Sequence, residues 1–389
     1  MNFSKLTEYL NTLEACYGVH GLDCKILREH ESVYRYMTGY SDYALTKPVS
    51  ERDLYDVYSC TKIVTMAAVM QLVEQGRLGL DDLLSDYLPE YANMMVATDF
   101  RIGEWPFAWP TLASPLAPAK HQIHIHELMS MTAGLSYDVF SEPIHKMQQE
   151  SGNHATTREV AKAIAAMPLI AEPGTRFSYG LGHDVLAAVV ELIGGEPFAQ
   201  HVKRHLFDPL GATDMYFHTP ESEKSRLSAQ YRMDFQTGVV SPNSDMIFRL
   251  SDRHDSGGAG LTCTVDSYSL VLDALANGGV GASGLRILRP ESIAAMQQNR
   301  LNEQQLLDFN KTGKIGYGYG LGVRTLVDAN CAKSPVGEFG WDGAAGGYAL
   351  IDPKNHVSIF YTHEIVGMIA AYNEIHPTIR DLAYEAMEN

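Results

Sequence analysis

The sequence predicts an α/β protein of the α+β type, in which an antiparallel sheet flanked by helices is built from both chain ends. Two observations support this fold class: strand patterns occur near both ends of the 389-residue chain, and helical patterns fill its middle. A mostly helical insertion would then interrupt the sheet. We therefore expect a sheet domain of residues 1–95 and 245–389 and a mostly helical domain of residues 96–244.

The first part of the chain contains a helix, a pair of strands and a second helix. Residues 1–10 predict a helix, and Cys24–Glu29 and Ser32–Tyr40 predict two strands joined by a short polar turn. Residues 63–76 form a strongly apolar helical pattern that ends at a glycine. The Pro- and Trp-rich segment Glu104–Pro118 has no hydrophobic period and predicts a surface excursion.

The remaining elements complete the insertion and return the chain to the sheet. Helical patterns occupy Glu127–Thr132, Thr157–Met167, His183–Ile193 and Val265–Ala276. Strand patterns occupy Tyr319–Leu326, Gly347–Ile351 and Val357–Thr362, and a closing helix is predicted for Ala371–Met387.

Composition and charge exclude several classes of partner. The formal net charge is −17, which disfavours nucleic acid and anionic membrane surfaces. Met1–Leu10 has polar and acidic residues where a signal peptide requires an apolar core, and no apolar stretch is long enough to span a bilayer. The five cysteines are scattered and contain no Cys-x-x-Cys pair, which favours reduced thiols. We therefore expect a cytoplasmic protein.

Ser59 and Lys62 lie three positions apart at the start of the apolar helical pattern, so a helix would place them on one face. A serine hydroxyl needs a base, and a lysine can act as one if burial lowers its pKa. No second Ser-x-x-Lys occurs in the sequence, and the Gly-x-Ser-x-Gly elbow of other serine hydrolases is absent. The spacing predicts a nucleophile and its base; the alternative is that Ser59 only caps the helix.

Two further segments could supply groups for acyl transfer. Tyr179 follows the turn Pro173-Gly174-Thr175 and could shuttle protons, with cationic neighbours lowering the pKa of its phenol. Phe339–Tyr348 is rich in glycine and alanine, so a substrate could approach its backbone closely. The N–H groups of Ala344 and Ser59 would then hold an oxyanion. The alternatives are a packing role for Tyr179 and a simple hairpin for the second segment.

Two other motifs are interpreted as unrelated to catalysis. Lys311-Thr312-Gly313 lies in a polar segment without the apolar run of a buried strand. His121, His124 and His126 alternate with isoleucines as on a half-buried strand, and imidazoles two positions apart could bind zinc. No further ligand group follows them at a suitable spacing, so no metal is predicted.

Taken in order, several segments resemble the serine β-lactamase and penicillin-binding-protein superfamily, in the branch that contains class C β-lactamases and family VIII carboxylesterases. Those that carry the resemblance are Ser59-Cys60-Thr61-Lys62, Ile125–Leu135, Pro173–Tyr179, Phe207–Met215, and Gly340–Gly346 with Ile351-Asp352-Pro353. The resemblance implies a β-lactamase/transpeptidase-like fold and an acyl-enzyme formed on Ser59. Lys62 and Tyr179 would move the protons, backbone N–H groups would hold the oxyanion, and no cofactor would be needed.

Two departures from the sequence pattern of class C β-lactamases bear on the type of substrate that this protein would accept. Leu181 stands where the tyrosine motif of those enzymes has an asparagine, and Trp341-Asp342-Gly343 replaces their Lys-Thr-Gly. We expect these four residues to contact the substrate, with the Asp342 carboxylate repelling an acidic one.

A carboxylesterase acting on small acyl esters is therefore favoured. A β-lactamase or D-amino-acid peptidase or amidase, an acyltransferase, and a slowly acylated sensor remain alternatives. The sequence makes no prediction of the oligomeric state.

Overall fold

The structure is a computed structural model that describes residues 1–102, 108–234, 236–244 and 246–388. Residues 104–107 of the expected surface excursion lie outside the described residues. Within the rest of that segment, Leu116–Pro118 pairs antiparallel with Met95–Ala97, so the excursion is partly a two-stranded ribbon.

The helices of the described residues account for most of the middle of the chain. They are α1 (Ser4–Tyr17), α2 (Thr61–Glu74), α3 (Leu84–Tyr87), α4 (Ile125–Met129), α5 (Glu142–Glu150), α6 (Thr157–Ala165), α7 (Gly182–Gly194), α8 (Phe198–Val202), α9 (Asp208–Leu210), α10 (Val265–Ala276), α11 (Pro290–Gln297), α12 (Glu303–Asn310) and α13 (His376–Glu388). Two π-helical turns, Lys203–Phe207 and Ala371–Ile375, precede α9 and α13. Each predicted helix is present, with ends shifted by a few residues.

The strands fall into one large sheet and several short ribbons. They are β1 (Gly21–Arg28), β2 (Glu31–Gly39), β3 (Tyr55–Asp56), β4 (Met95–Ala97), β5 (Leu116–Pro118), β6 (Met215–Tyr216), β7 (Tyr231–Met233), β8 (Val240–Pro242), β9 (Thr262–Cys263), β10 (Tyr317–Tyr319), β11 (Arg324–Leu326), β12 (Phe339–Asp342), β13 (Tyr348–Asp352), β14 (Val357–His363) and β15 (Ile365–Val366).

The large sheet joins the two ends of the chain. Its order is β10-β11-β12-β13-β14-β1-β2, and all of its pairings are antiparallel. The junction lies between β14 and β1, where Leu22 is opposite His363 and Ile26 is opposite Ile359. This sheet confirms the predicted fold class; the proposed division into two domains stays a prediction.

Both faces of the sheet are covered by helices. Alternate residues of a strand point to opposite faces, and on β14 Ile359 and Tyr361 join the cluster of buried residues from α1 and α13. Phe360 points the other way, and its ring packs 4.4 Å from that of Tyr268 on α10. The second face continues into the larger core around α2, which packs against α7 and α8.

Two local predictions are wrong. Tyr319–Leu326 is not one strand, because the chain turns at Gly320 and Gly322 and forms the β10-β11 hairpin; Gly322 has a φ of 77°, which favours glycine. The expected strand around His124 is instead the start of α4. There the side chain of Glu127 accepts a hydrogen bond of 2.8 Å from the His124 N–H, as in a capping box.

Among the helices of the described residues, none combines the length and apolar character needed to cross a membrane. The five cysteines all carry free thiols.

Candidate active site

Ser59 lies in a tight 3₁₀ turn, Tyr58–Cys60, that leads directly into α2. The turn places Tyr58 at a φ of 44°, a left-handed conformation that costs energy for a bulky residue. The Tyr58 hydroxyl donates a buried 2.7 Å hydrogen bond to Gln230, which stabilises this conformation. Ser59 is 8% exposed and faces a cavity. It is not the cap of α2, because Cys60 occupies that position and no side chain caps the helix.

Lys62 meets the requirements for a general base. Its side chain is fully buried, and Nζ lies 3.2 Å from Ser59 Oγ. Nζ also donates a 2.6 Å hydrogen bond to the carbonyl of Gly258, which orients the amine. Burial lowers the pKa of Lys62 from 10.5 to about 7. A large fraction of the amine is therefore neutral near pH 7 and able to accept a proton.

A buried carboxylate, Asp184 on α7, limits this shift. Burial raises the pKa of Asp184, but the neighbouring His254 and Ser256 side chains and the charge of Lys62 outweigh it, so the net pKa is lowered. Ser256 Oγ donates to Asp184 at 2.7 Å, and His254 Nε2 lies 3.4 Å away. The negative charge in turn raises the pKa of Lys62, against the larger effect of burial.

The structure brings Tyr179 to Lys62, as predicted, but its electrostatics differ from the prediction. Lys62 Nζ lies 4.7 Å from the centre of the Tyr179 ring, and Trp341 Nε1 donates a 3.0 Å hydrogen bond to the phenol oxygen. The pKa of Tyr179 is raised rather than lowered, because burial outweighs its hydrogen bonds with Ser59 and Trp341. The phenol therefore keeps its proton at neutral pH and is not a phenolate.

Sequence reasoning missed a second phenol at the site. Tyr137 packs edge-on against Tyr179, with ring centres 5.3 Å apart, and Lys62 Nζ lies 5.9 Å from its ring. Burial raises its pKa, partly offset by a hydrogen bond with Ser59. Tyr137 comes two residues after the segment Ile125–Leu135 used for the resemblance, so extending that segment would have found it.

The loop after β12 presents the second expected oxyanion donor. Ala344 lines the same cavity as Ser59, and within the described part of the chain its N–H has no hydrogen-bond acceptor. Gly343 was expected to contact the substrate. In the structure its N–H donates a 2.7 Å hydrogen bond to the carbonyl of Gly347 within the loop. A Cβ at Gly343 would lie 2.5 Å from the carbonyl oxygen of Val57, so glycine allows this loop to approach the 3₁₀ turn that contains Ser59.

The cavity has a volume of about 630 Å³. Its wall is dominated by aromatic side chains and completed by the segment after α12; the lining residues besides Ser59 and Ala344 are Tyr137, Phe177, Tyr179, Phe248, Lys311–Lys314, Trp341, Asp342, Ile369, Tyr372 and Asn373. Leu181, expected to contact substrate, is not among them, because it is buried at the start of α7. The Lys311-Thr312-Gly313 segment was interpreted as unrelated, yet it forms part of this wall.

Asp342 does not present an unbalanced negative charge to the cavity. Its carboxylate lies 2.5 Å from Lys314 Nζ, 3.0 Å from His376 Nδ1 and 3.8 Å from Arg324 Nη1. Burial raises its pKa, but the two cations and His376 outweigh it and hold the pKa well below its ordinary value. Lys314 and the buried Arg324 offset this negative charge, so the structure does not favour the expected repulsion of an acidic substrate.

Comparison with known proteins identifies the family of this chain. The sequence model of the Beta-lactamase family matches residues 6–383. The chain belongs to this family. It is similar to lovastatin esterase of Penicillium rubens, with 30% identity over 342 residues that cover 80% of this chain and 79% of that protein. It is also similar to esterase EstB of Burkholderia gladioli, with 27% identity and coverage of 86% and 83%.

A solved structure shares nearly the whole fold of this Beta-lactamase family member. It is that of EstCE1, described as a hydrolase with promiscuous acyltransferase activity. The TM-score is 0.79 at 25% identity, and the match covers 98% of both chains. The superfamily inferred from the motifs is therefore confirmed.

Two of the three histidines considered as zinc ligands contact backbone carbonyls through Nδ1. His124 Nδ1 lies 2.8 Å from the carbonyl oxygen of Asp81, and His126 Nδ1 lies 3.1 Å from that of Leu80. Within the described residues, the three ligand groups that do converge are elsewhere, at Glu196, His201 and His205.

Proposed function

We propose that this protein is a serine carboxylesterase that acts on small acyl esters through an acyl-enzyme on Ser59. The observation that carries the proposal is the Lys62 amine, buried, with a pKa lowered to about 7 and lying 3.2 Å from Ser59 Oγ. A neutral amine at hydrogen-bond distance can remove the hydroxyl proton as the oxygen attacks a carbonyl carbon.

The acylation step accounts for each proton and bond. Lys62 takes the proton of Ser59 while Oγ bonds to the ester carbonyl, and the N–H groups of Ser59 and Ala344 stabilise the oxyanion. When the carbon–oxygen bond to the alcohol breaks, the neutral phenol of Tyr179 donates its proton to the departing alkoxide. Tyr179 then recovers a proton from the Lys62 ammonium, which restores both groups.

Deacylation repeats these steps with water as the nucleophile. Lys62 takes a proton from the water as its oxygen attacks the acyl carbon, and the same N–H groups hold the second oxyanion. The bond to Ser59 then breaks, and the proton returns to Oγ. The acid is released and the resting site is restored.

Several observations favour esters over lactams and peptides. Aromatic side chains are the largest group in the cavity wall, which suits an apolar acyl chain or alcohol. Leu181 is buried and apolar where class C enzymes have an amide side chain, so it cannot hydrogen-bond to a lactam. Two of the relatives described above are named as esterases.

Transfer of the acyl group to an alcohol is a second candidate. The aromatic lining would concentrate an apolar alcohol near the acyl-enzyme, where it competes with water. EstCE1, the structural relative of 25% identity, is itself described as having promiscuous acyltransferase activity.

A substrate panel tests these functions against one another. We expect nitrophenyl esters, graded from acetyl to decanoyl, to be turned over with a kcat/KM at least about 10²-fold above that of nitrocefin or D-alanyl amides. Product analysis with added butanol would reveal transfer as butyl ester. Faster turnover of nitrocefin than of every ester would contradict the proposal, and a single burst without turnover would indicate an acylated sensor.

The pH dependence of ester turnover tests the role of Lys62. The amine must be neutral to act as a base, so kcat/KM should rise with pH and level off above about pH 7. Below that pH the ammonium form dominates, and kcat/KM should fall about tenfold per unit. Initial rates of nitrophenyl acetate hydrolysis at subsaturating substrate provide the profile. A midpoint above about pH 9 would contradict the assignment, because it would mean that the resting lysine is charged.

A further inference from the structure

We propose that Glu196, His201 and His205 form a binding site for a divalent transition-metal ion, for which Zn²⁺ is the best match. The three residues contribute one ligand atom each, and these atoms lie within 4.8 Å of one another. Two imidazole nitrogens and one carboxylate oxygen are a donor set that zinc uses in open sites, with water as the fourth ligand.

The distances within the cluster fit shared coordination better than hydrogen bonding. Glu196 Oε1 lies 3.7 Å from His201 Nδ1 and 3.6 Å from His205 Nε2, which is too long for hydrogen bonds. Ligand atoms bound tetrahedrally to one zinc at about 2.0–2.1 Å are roughly 3.4 Å apart. Each of the two Glu196–histidine distances therefore needs an adjustment of only a few tenths of an ångström, while the two imidazole nitrogens lie within 4.8 Å of one another.

His201 provides an independent observation. It is 3% exposed, and neither of its ring nitrogens has a hydrogen-bond partner, although buried polar atoms are normally satisfied. A Cβ at Gly194 would lie 2.7 Å from His201 Nδ1, so the glycine leaves that nitrogen accessible.

Two further contacts involve the residues of the cluster. The two imidazole rings lie 4.5 Å apart. Arg204 approaches the other carboxylate oxygen of Glu196 at 3.3 Å, and its side chain is 68% exposed. Its Nη1 also donates a 3.4 Å hydrogen bond to Oε1, the oxygen that faces the two histidines, so a bound ion would share that oxygen with Arg204.

The ion would connect elements that pack against α2, the helix that carries Lys62. The ion itself would take no part in catalysis. Glu196 follows α7, while His201 lies on α8 and His205 in the π-helical turn after it. The side chain of Gln71 on α2 donates a 3.0 Å hydrogen bond to the carbonyl of His205. Because Gln71 lies about 14 Å along α2 from Lys62, the site is remote from Ser59.

Titration of the full-length, tag-free and chelator-treated protein with Zn²⁺ alone tests the proposal. Wild-type protein should bind one ion per chain and unfold at a temperature about 3 °C higher with zinc in excess. His205→Ala and Glu196→Gln should each weaken zinc binding by at least about 100-fold. Because His205 has a 41% exposed side chain, its removal should leave the core intact.

A matched control separates this site from other surface histidines. His218 has a 42% exposed side chain paired with a single carboxylate, that of Asp255 at 2.7 Å. His218→Ala should bind zinc as tightly as wild type, and so should His126→Ala. Gly194→Ala keeps every ligand but crowds His201 Nδ1, so it should weaken binding as well.

The results that would overturn the site are equally specific. They are the absence of saturable zinc binding by the wild type, or unchanged binding by His205→Ala. Ester turnover of the metal-free protein should equal that of the zinc-loaded protein. The failure of the metal site and the failure of the proposed esterase activity are thus measured independently.

Discussion

We expect Ser59→Ala to lower kcat/KM for nitrophenyl esters by at least about 10³-fold, and Lys62→Met to do the same. The first change removes the attacking oxygen. The second removes the amine that lies 3.2 Å from it, while filling the same buried space. Because the two groups act as one unit, the double variant should lose little more than either single variant. Initial-rate kinetics on the purified proteins measure all three.

Two controls separate catalysis from folding in these variants. Ser292→Ala on α11 removes a comparably buried hydroxyl, 7% exposed, and should leave turnover unchanged. The pKa of Lys62 is lowered to about 7 on folding, so between about pH 7 and 10 the unfolded chain binds more protons at this amine and stability rises with pH. At pH 7 the wild type therefore loses stability by burying this amine with a lowered pKa. Lys62→Met removes that loss, so its free energy of unfolding at pH 7 should equal or exceed that of the wild type. Full turnover by Ser59→Ala would refute the assignment of the nucleophile.

Tyr179→Phe should lower kcat by about 10²- to 10⁴-fold, the range for loss of one general acid or base. The change removes only the phenol oxygen and keeps the ring that stacks on Trp341 with centres 5.5 Å apart. The loss should be largest for esters with poorly acidic alcohols, because these depend most on protonation of the leaving group. Comparison of phenyl and ethyl esters of one acid measures this difference.

Neighbouring residues provide the controls for Tyr179. Trp341→Phe removes the 3.0 Å hydrogen bond to the phenol but leaves the proton in place, so its effect should be about tenfold. Tyr137→Phe should also be mild, because it removes the hydrogen bond with Ser59 but keeps the ring that packs against Tyr179 with centres 5.3 Å apart. If Tyr137→Phe were severe and Tyr179→Phe harmless, the proton donor would be Tyr137.

The parts of the structure that could be predicted are those determined by short spacings and by strong patterns. The contact between Ser59 and Lys62 follows from a separation of three residues on a helical turn. The joining of β1 to β14 follows from apolar strand patterns at both ends of the chain. The strongly apolar helical pattern of residues 63–76 also predicts that the Lys62 side chain is buried.

The parts that could not be predicted depend on long-range contacts. Gly258, whose carbonyl orients the Lys62 amine, lies 196 residues further along the chain. The direction of the Tyr179 pKa was wrong, because burial, which the sequence did not reveal, outweighs the effect of a neighbouring amine. Asp342 is balanced by Lys314, whose position depends on how the segment after α12 packs against the sheet.

The proposed zinc site illustrates the same limit. His201 and His205 are four residues apart, a spacing that places two side chains on one helical face. Their helix is short and continues as a π-helical turn. The burial of His201 and the approach of Glu196 become visible only in the folded chain. The sequence pattern alone points instead to His121, His124 and His126 as candidate zinc ligands.

The most direct test of the central claim is to trap the nucleophile. The protein would be treated with a fluorophosphonate that modifies activated serines, digested, and mapped by mass spectrometry, with Ser59→Ala and Lys62→Met treated in parallel. We predict a single modification on Ser59 of the wild type, absent from Ser59→Ala and strongly slowed in Lys62→Met. Modification of another residue, or none at all in the wild type, would contradict the account.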